Sequence, residues 1–221
     1  MDMDRAIAER HSVRKYTSRR IEGDVLRDLG REIDRVNGES GLSVRLILDE
    51  PRAFGGFALK GVMGFENAVN YLAISGPESD HLELDAGYYG EHLVLFAQSI
   101  GLNTCWALMA KKGIASENLP DGHRMVISIS VGYGANQGVP HKSKPIGQFA
   151  DVEGAPEWFV DGVRCAMLAP TGVNRQGFRF ERDGARVRLI GGSGTLGRID
   201  TGIVKYHFEH GAGRENFTWM D

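Results

Sequence analysis

Apolar residues recur along this chain at two periods, and the changes from one to the other mark its elements. Between 22 and 36, Val25, Leu26, Leu29 and Ile33 fall on one stripe at helical spacing. Leu42 to Asp49 reads as a strand. Val69 to Ser75 reads as another, closed by Gly76-Pro77. The strongest helical pattern runs from 85 to 100, where Tyr89, Leu93, Phe96, Ala97 and Ile100 share a face and Gly101 is a natural stop. Met125 to Tyr133 is almost continuously apolar, the mark of a strand buried on both faces.

The pattern then changes. Gly134 to Gly154 holds glycines and prolines with no period and reads as a long loop. Trp158 to Leu168 returns to helix, with Phe159, Gly162, Val163, Ala166 and Met167 on one face. Phe178-Arg179-Phe180 and Val187-Arg188-Leu189 alternate apolar with basic residues around Asp183-Gly184, as in a hairpin. Residues 198–210 read as a last helix. Strands and helices in this order predict an α+β fold with a mixed or antiparallel sheet flanked by helices, not a series of β-α-β units. The loop suggests two lobes, 1–150 and 151–221.

Composition narrows the functional classes. The chain has 221 residues, 42% of them hydrophobic and 25% charged, ordinary values for a globular protein with a sizeable core. A net charge of −3 argues against a general nucleic-acid binder, whose footprint is a broad basic surface. No apolar run approaches a membrane span, and Met1 to Arg5 has no apolar leader pattern. Cys105 and Cys165 fit neither a disulfide framework nor a metal motif, so they read as reduced thiols of a cytoplasmic protein. His207 and His210 share a helix face without further ligands nearby, so a packing or capping role is expected and no metal site is assigned.

Glycine-rich stretches add no nucleotide site. Gly132-Tyr133-Gly134 lacks the continuation of a dinucleotide fingerprint. Gly191-Gly192-Ser193-Gly194 lacks the Lys-Ser/Thr of a phosphate-binding loop and reads as a flexible turn.

Four short segments carry the candidate chemistry. In Arg10-His11-Ser12-Val13-Arg14-Lys15-Tyr16, alternate positions place Arg10, Ser12 and Arg14 on one face of an extended segment. Two planar, permanently charged guanidiniums beside a hydroxyl suit phosphate oxygens. The plainer reading is a solvated basic stretch paired with surface acids. His141-Lys142-Ser143-Lys144-Pro145 is a second basic cluster. Ala169-Pro170-Thr171-Gly172-Val173-Asn174-Arg175-Gln176 offers an amide and a hydroxyl, which serve either a ligand edge or a local turn. Gly101-Leu102-Asn103-Thr104-Cys105-Trp106 follows the long helix.

Together these segments resemble the motifs of the nitroreductase-like FMN oxidoreductases: an Arg-x-Ser-x-Arg-x-aromatic run, a late Lys-Ser-Arg-x-Pro element, and an Ala-Pro-Ser-x-x-Asn-x-Gln-Pro loop, here with Thr171 and Gly177 in place of Ser and the final Pro. The resemblance implies the family's α+β fold, with FMN as cofactor and NAD(P)H as electron donor. It implies a nitroaromatic, quinone or similar small-molecule electron acceptor, and no nucleic-acid or membrane partner. It assigns the FMN contacts to Arg10, His11, Ser12, Arg14, Trp106, Lys142, Lys144, Pro170, Thr171 and Asn174, with no catalytic side chain, since the chemistry belongs to the cofactor.

The motif order departs from the family. The Ala-Pro loop usually follows the first motif closely and reaches the flavin of a second subunit. Here it comes after residue 168, so the C-terminal segment is expected to supply in cis what a partner supplies in trans. That implies a pseudo-dimeric chain, monomeric or weakly dimeric. Two alternatives stay open: a flavin-binding or sensing protein without efficient turnover, and a flavin-consuming or dehalogenating enzyme of the same fold.

Overall fold

Antiparallel pairing in the order β1-β2-β4-β3 builds one sheet from β1 (Ser43–Ile47), β2 (Tyr71–Pro77), β3 (Asn103–Ala107) and β4 (His123–Gly132). The computed structural model describes residues 2–51, 53–54, 64–107, 113–117 and 119–220. Its helices are α1 (Met3–Glu9), α2 (Gly23–Ser40), α3 (Leu82–Ser99), α4 (Gly113–Ser116), α5 (Glu157–Ala166) and α6 (Gly194–Ala212). A second, three-stranded sheet has the order β5-β6-β7, from β5 (Arg179–Asp183), β6 (Arg186–Ile190) and β7 (Thr218–Trp219). The α+β class expected from the pattern is the class observed, with two sheets: the first antiparallel, the second mixed because β6 and β7 run parallel.

The chain divides into two compact units. Met1–Leu82 with His92–Pro140 forms one, and Glu83–Glu91 with His141–Asp221 the other. The lobes read from the sequence met at 150; the units meet at 140, and the first half of α3 groups with the C-terminal residues.

In the first unit, α2 buries Leu29, Ile33 and Val36, each contributing about 2 kcal/mol of apolar burial. It stops at Gly41, whose φ of 71° lies in the left-handed region. Asn37 then brackets the start of β1, its side-chain amide bonding both the N–H and the carbonyl of Val44. β2 begins two residues later than expected and runs through Gly76-Pro77, which pair with Arg124 and His123 of β4. β1 ends opposite Ser75, so Pro77 has no neighbour on that side to miss its N–H. In α3, Ala86, Val94 and Leu95 are buried as fully as Leu93 and Ala97. The helix is therefore enclosed on several sides and is not a one-faced amphipathic element. It also starts earlier than expected, because Leu82 is buried at its first turn.

The second unit is built around aromatic rings. Phe180 of β5 stacks on Phe208 of α6 with centroids 4.4 Å apart, and Phe159 of α5 meets Phe208 edge-on at 5.9 Å. The expected hairpin is present as β5 and β6, with Phe180 and Val187 buried and the arginines between them outward. The first half of α3 crosses α6 where both are stripped to glycine. A Cβ on Gly202 would overlap the Leu84 carbonyl oxygen and stand 2.7 Å from the Tyr88 amide nitrogen, and one on Gly87 would overlap the Ile199 carbonyl. Beside this crossing, His207 of α6 bonds Glu91 of α3 at 2.9 Å, both fully buried. His207 is thus a packed, paired histidine; no group of three metal-ligating side chains occurs among the described residues.

Candidate functional site

The Arg10–Tyr16 run is held in place by backbone bonds on both of its sides. Arg10 caps α1 in an extended conformation. Ser12 then bridges Thr104 in parallel, with the Val13 N–H donating to the Thr104 carbonyl at 2.9 Å. Tyr16 N–H donates to Glu66, Glu66 N–H to Arg14, and Ala135 N–H to Lys15. At the end of the run the Tyr16 ring is buried. Its hydroxyl donates to the Val13 carbonyl at 2.7 Å and lies 2.7 Å from Ser130 Oγ. Burial pushes the Tyr16 hydroxyl's pKa up, against the Ser130 bond.

Alternation along this run has the expected effect on its side chains. Lys15 turns to Glu66, with 2.6 Å between Nζ and Oε1. Arg10, Ser12 and Arg14 all act on the thiol of Cys105. Burial raises that thiol's pKa, while the Arg14 charge, a hydrogen bond with Ser12 and the Arg10 charge pull it down. Ser12 hydrogen-bonds the Cys105 thiol, and the two-residue period of extended backbone puts Arg10 and Arg14 on the same side of the run as Ser12. Arg10 is only 5% exposed, whereas Arg14 is exposed and makes no ion pair among the described residues. His11, between them, is half-buried against the backbone of Gly138. Trp106 pairs with Ile129 while Cys105 pairs with Ser130, so strand alternation puts the indole on the face opposite the thiol.

In the second unit the other two motifs fold onto each other. Asn174 Nδ2 donates to the Lys142 carbonyl at 3.0 Å, and Gln176 Nε2 donates to the same carbonyl at 2.7 Å. Gln176 Oε1 accepts from the Lys144 amide at 2.9 Å. Lys144 Nζ donates to the carbonyls of Arg175 and Gln176 at 2.7 and 3.3 Å. Two of that ammonium's three donors are thus committed within the unit. Lys142 is exposed and makes no ion pair among the described residues. Thr171 Oγ1 accepts from the Gln176 amide at 3.0 Å, and Asn174 Oδ1 from Gln176 Nε2 at 2.7 Å. Thr171 and Asn174 therefore make the turn contacts that their residue types allow. Pro170 is half-buried and leads into an extended Thr171.

This loop is strained. Val173, Asn174 and Gln176 have φ of 48°, 54° and 48°. The left-handed region costs a non-glycine residue about 1–2 kcal/mol. The Val173 side chain is 93% exposed and recovers nothing by packing. Beside it lies a cavity of about 400 Å³ bordered by Val173, Arg175, Phe178, Leu196, Asp200 and Val204. The glycine run before α6 is a packed strap and not the flexible turn expected. A Cβ on Gly192 would come 2.9 Å from Gly197 Cα, and one on Gly191 2.7 Å from Thr201 Cγ2.

Asp200 escaped the sequence reading, and Gln176 entered it only as the end of the Ala-Pro loop. Gln176, 4% exposed, organises both C-terminal motifs, and its place at the end of the Ala-Pro loop was the available signal. Asp200 accepts the Gly172 N–H with both oxygens, at 3.0 and 3.1 Å, and no local pattern pointed to it.

The family model described as "Putative TM nitroreductase" matches residues 2–212. No curated protein matches the chain. Among solved structures, a "putative nitroreductase" from Thermotoga maritima is 24% identical, with a TM-score of 0.62 over 94% of this chain and 82% of that one. A nitroreductase family protein from Streptococcus pneumoniae is 15% identical, with a TM-score of 0.53 over 66% of this chain and 98% of that one. These two likenesses show the fold. Among the described residues, no helix is long and apolar enough to cross a membrane.

Proposed function

This chain belongs to the TM nitroreductase family, and on that premise we propose that it is a cytoplasmic FMN-dependent oxidoreductase carrying electrons from NAD(P)H to a nitroaromatic, quinone or similar small acceptor. The observation that carries the cofactor assignment is a run anchored by backbone bonds to Thr104, Glu66 and Ala135, on which alternation puts Arg10, Ser12 and Arg14 on one side. This donor set fits a phosphate: two guanidinium forks with an adjacent hydroxyl, each charge-assisted bond contributing about 1.5–3 kcal/mol.

FMN, when bound, supplies hydride acceptance and electron delivery. The chain's own residues bind and orient. Arg10 and Arg14 neutralise the phosphate, and Ser12 donates to it or to the adjoining chain. His11 keeps the run spaced from the Gly138 backbone. Trp106, on the sheet face opposite the Cys105 thiol, takes no part in the phosphate contacts. Lys142 adds an exposed cation, and Lys144 braces the Ala169–Gln176 loop through its carbonyl contacts. Pro170, Thr171 and Asn174 shape that loop, and the second Nδ2 hydrogen of Asn174 is its donor to the ring edge. The late place of the loop in the chain supports a pseudo-dimeric chain, monomeric or weakly dimeric. No side chain is assigned a nucleophilic or acid–base role.

The test is the absorbance spectrum of purified protein with identification of the released chromophore, followed by NAD(P)H oxidation with a quinone and light scattering. Flavin bands, released FMN and turnover at the monomer mass support the reading. Colourless protein that fails to take up added FMN overturns it. Bound FMN with no turnover favours the binding or sensing alternative, and a dimer sharing flavin between chains removes the in-cis role of the loop.

A further inference from the structure

We propose that Asp200 is a positioning residue for the flavin: from α6 it holds the Thr171–Gln176 loop in the left-handed shape in which that loop meets the ring. This inference rests on the flavin reading above. Three non-glycine residues of the loop lie in the left-handed region, and the nearly fully exposed Val173 side chain gains no packing in return. Such a conformation persists only where its surroundings over-determine it. The braces are Thr171, Asn174, Gln176 and Lys144, which belong to the two motifs themselves, and Asp200, which comes from a nineteen-residue helix.

Asp200 differs in kind from the others. Both of its oxygens lie within hydrogen-bond distance of one amide, that of Gly172, at the point where the chain leaves extended Thr171 for the left-handed turn. It thereby fixes the first peptide of the turn against a rigid element. The carboxylate is partly withdrawn from water to do so; burial raises its pKa, and the Gly172 amide and the Arg175 charge offset part of that rise. Its neighbours in the helix reinforce the placement. Thr201 Oγ1 donates to the Gly197 carbonyl at 2.7 Å, and the glycine strap lies directly over Gly197 and Thr201. The helix face that carries Asp200 therefore has little freedom to shift.

The experiment compares the full chain with Asp200→Ala and Asp200→Asn in two assays. One is FMN affinity by fluorescence titration. The other, on flavin-free protein, is the rate of tryptic cleavage after Arg175, inside the loop. Asp200→Ala is expected to weaken FMN and to speed the Arg175 nick about tenfold each, the loss of one charge-assisted bond. Asp200→Asn keeps an acceptor for the Gly172 N–H and is expected to restore both to within about twofold of wild type. A wild-type chain that binds FMN, with Asp200→Ala binding it equally and nicked no faster, overturns the inference. So does a variant nicked faster but unchanged in FMN affinity, because the brace is then structural only. A faster nick in Asp200→Ala beside a wild type that takes up no FMN overturns the flavin reading instead, and the positioning role with it.

Discussion

Replacing Tyr16 by Phe tests how the phosphate-facing run is anchored. The change removes one oxygen and leaves the buried ring. In the native chain, Ser130 Oγ, the Tyr16 hydroxyl and the Val13 carbonyl form a short chain of hydrogen bonds at 2.7 Å each. Without the hydroxyl, Ser130 retains an acceptor in the Cys105 carbonyl at 3.3 Å. The Val13 carbonyl, in a fully buried residue, has no other side-chain donor among the described residues. One orphaned buried acceptor costs about 1–3 kcal/mol. At roughly 2 kcal/mol the melting midpoint falls by roughly 4–8 °C for a chain of this size. Alkaline pH supplies a second, independent readout. The unfolded chain releases a tyrosine proton near ~10. The folded chain holds that of Tyr16 longer because burial raises its pKa. Above the ordinary value the folded state therefore carries the extra proton, and stability falls as pH rises, by about 1.4 kcal/mol per pH unit for one proton. Urea titrations of wild type and Tyr16→Phe from neutral to alkaline pH measure both quantities. The wild type should lose stability more steeply than the variant by one proton's worth, with the two converging as pH rises. Equal midpoints at neutral pH together with parallel alkaline slopes would refute the reasoning, since the hydroxyl would then be neither bonded nor buried as described.

Three further outcomes are expected. Arg14→Ala should weaken FMN roughly 10–150-fold with little change in stability, because the side chain is exposed; Arg10→Ala should weaken FMN and also lower the urea midpoint, and unchanged titrations for both would remove them from the phosphate site. Gly202→Ala drives a methyl into the backbone of α3 and should cost about 3 kcal/mol or more, read as a lost or sharply shifted calorimetric transition; a native-like transition would mean the helices have room to part. Removing one partner of the buried His207–Glu91 pair, as in Glu91→Ala, should cost about 3–5 kcal/mol, while His207→Phe with Glu91→Leu should recover much of it, and strictly additive losses in denaturant would contradict the pairing.

Elements whose burial pattern is local could be read from the chain with little error. The β5–β6 hairpin is legible because Phe180 and Val187 alternate with arginines around a tight turn. β4 is legible because Met125 to Tyr133 carries no charged residue and is almost continuously apolar, and seven consecutive positions of it are buried. Two departures share one cause, a neighbour distant in sequence. β2 continues through Pro77 because β1 is already absent from that side, and the glycine run before α6 is a strap because Gly197 and Thr201 lie beneath it. β7, two residues long, is a strand only because β6 runs parallel to it.

The candidate site divides along the same line. That Arg10, Ser12 and Arg14 share a side follows from the two-residue period of extended backbone, a property of the chain alone. The residue types of the Ala169–Gln176 loop likewise carry their turn chemistry with them. Tertiary structure decided the rest. It seated the run against Thr104 and Ala135, turned the Lys144 ammonium onto backbone carbonyls, and brought Asp200 from 28 positions away to the amide of Gly172. Periodicity and residue type are local and can be read from a string of letters. A hydrogen bond between distant residues depends on where two rigid elements come to rest, and only the packing of the whole unit fixes that.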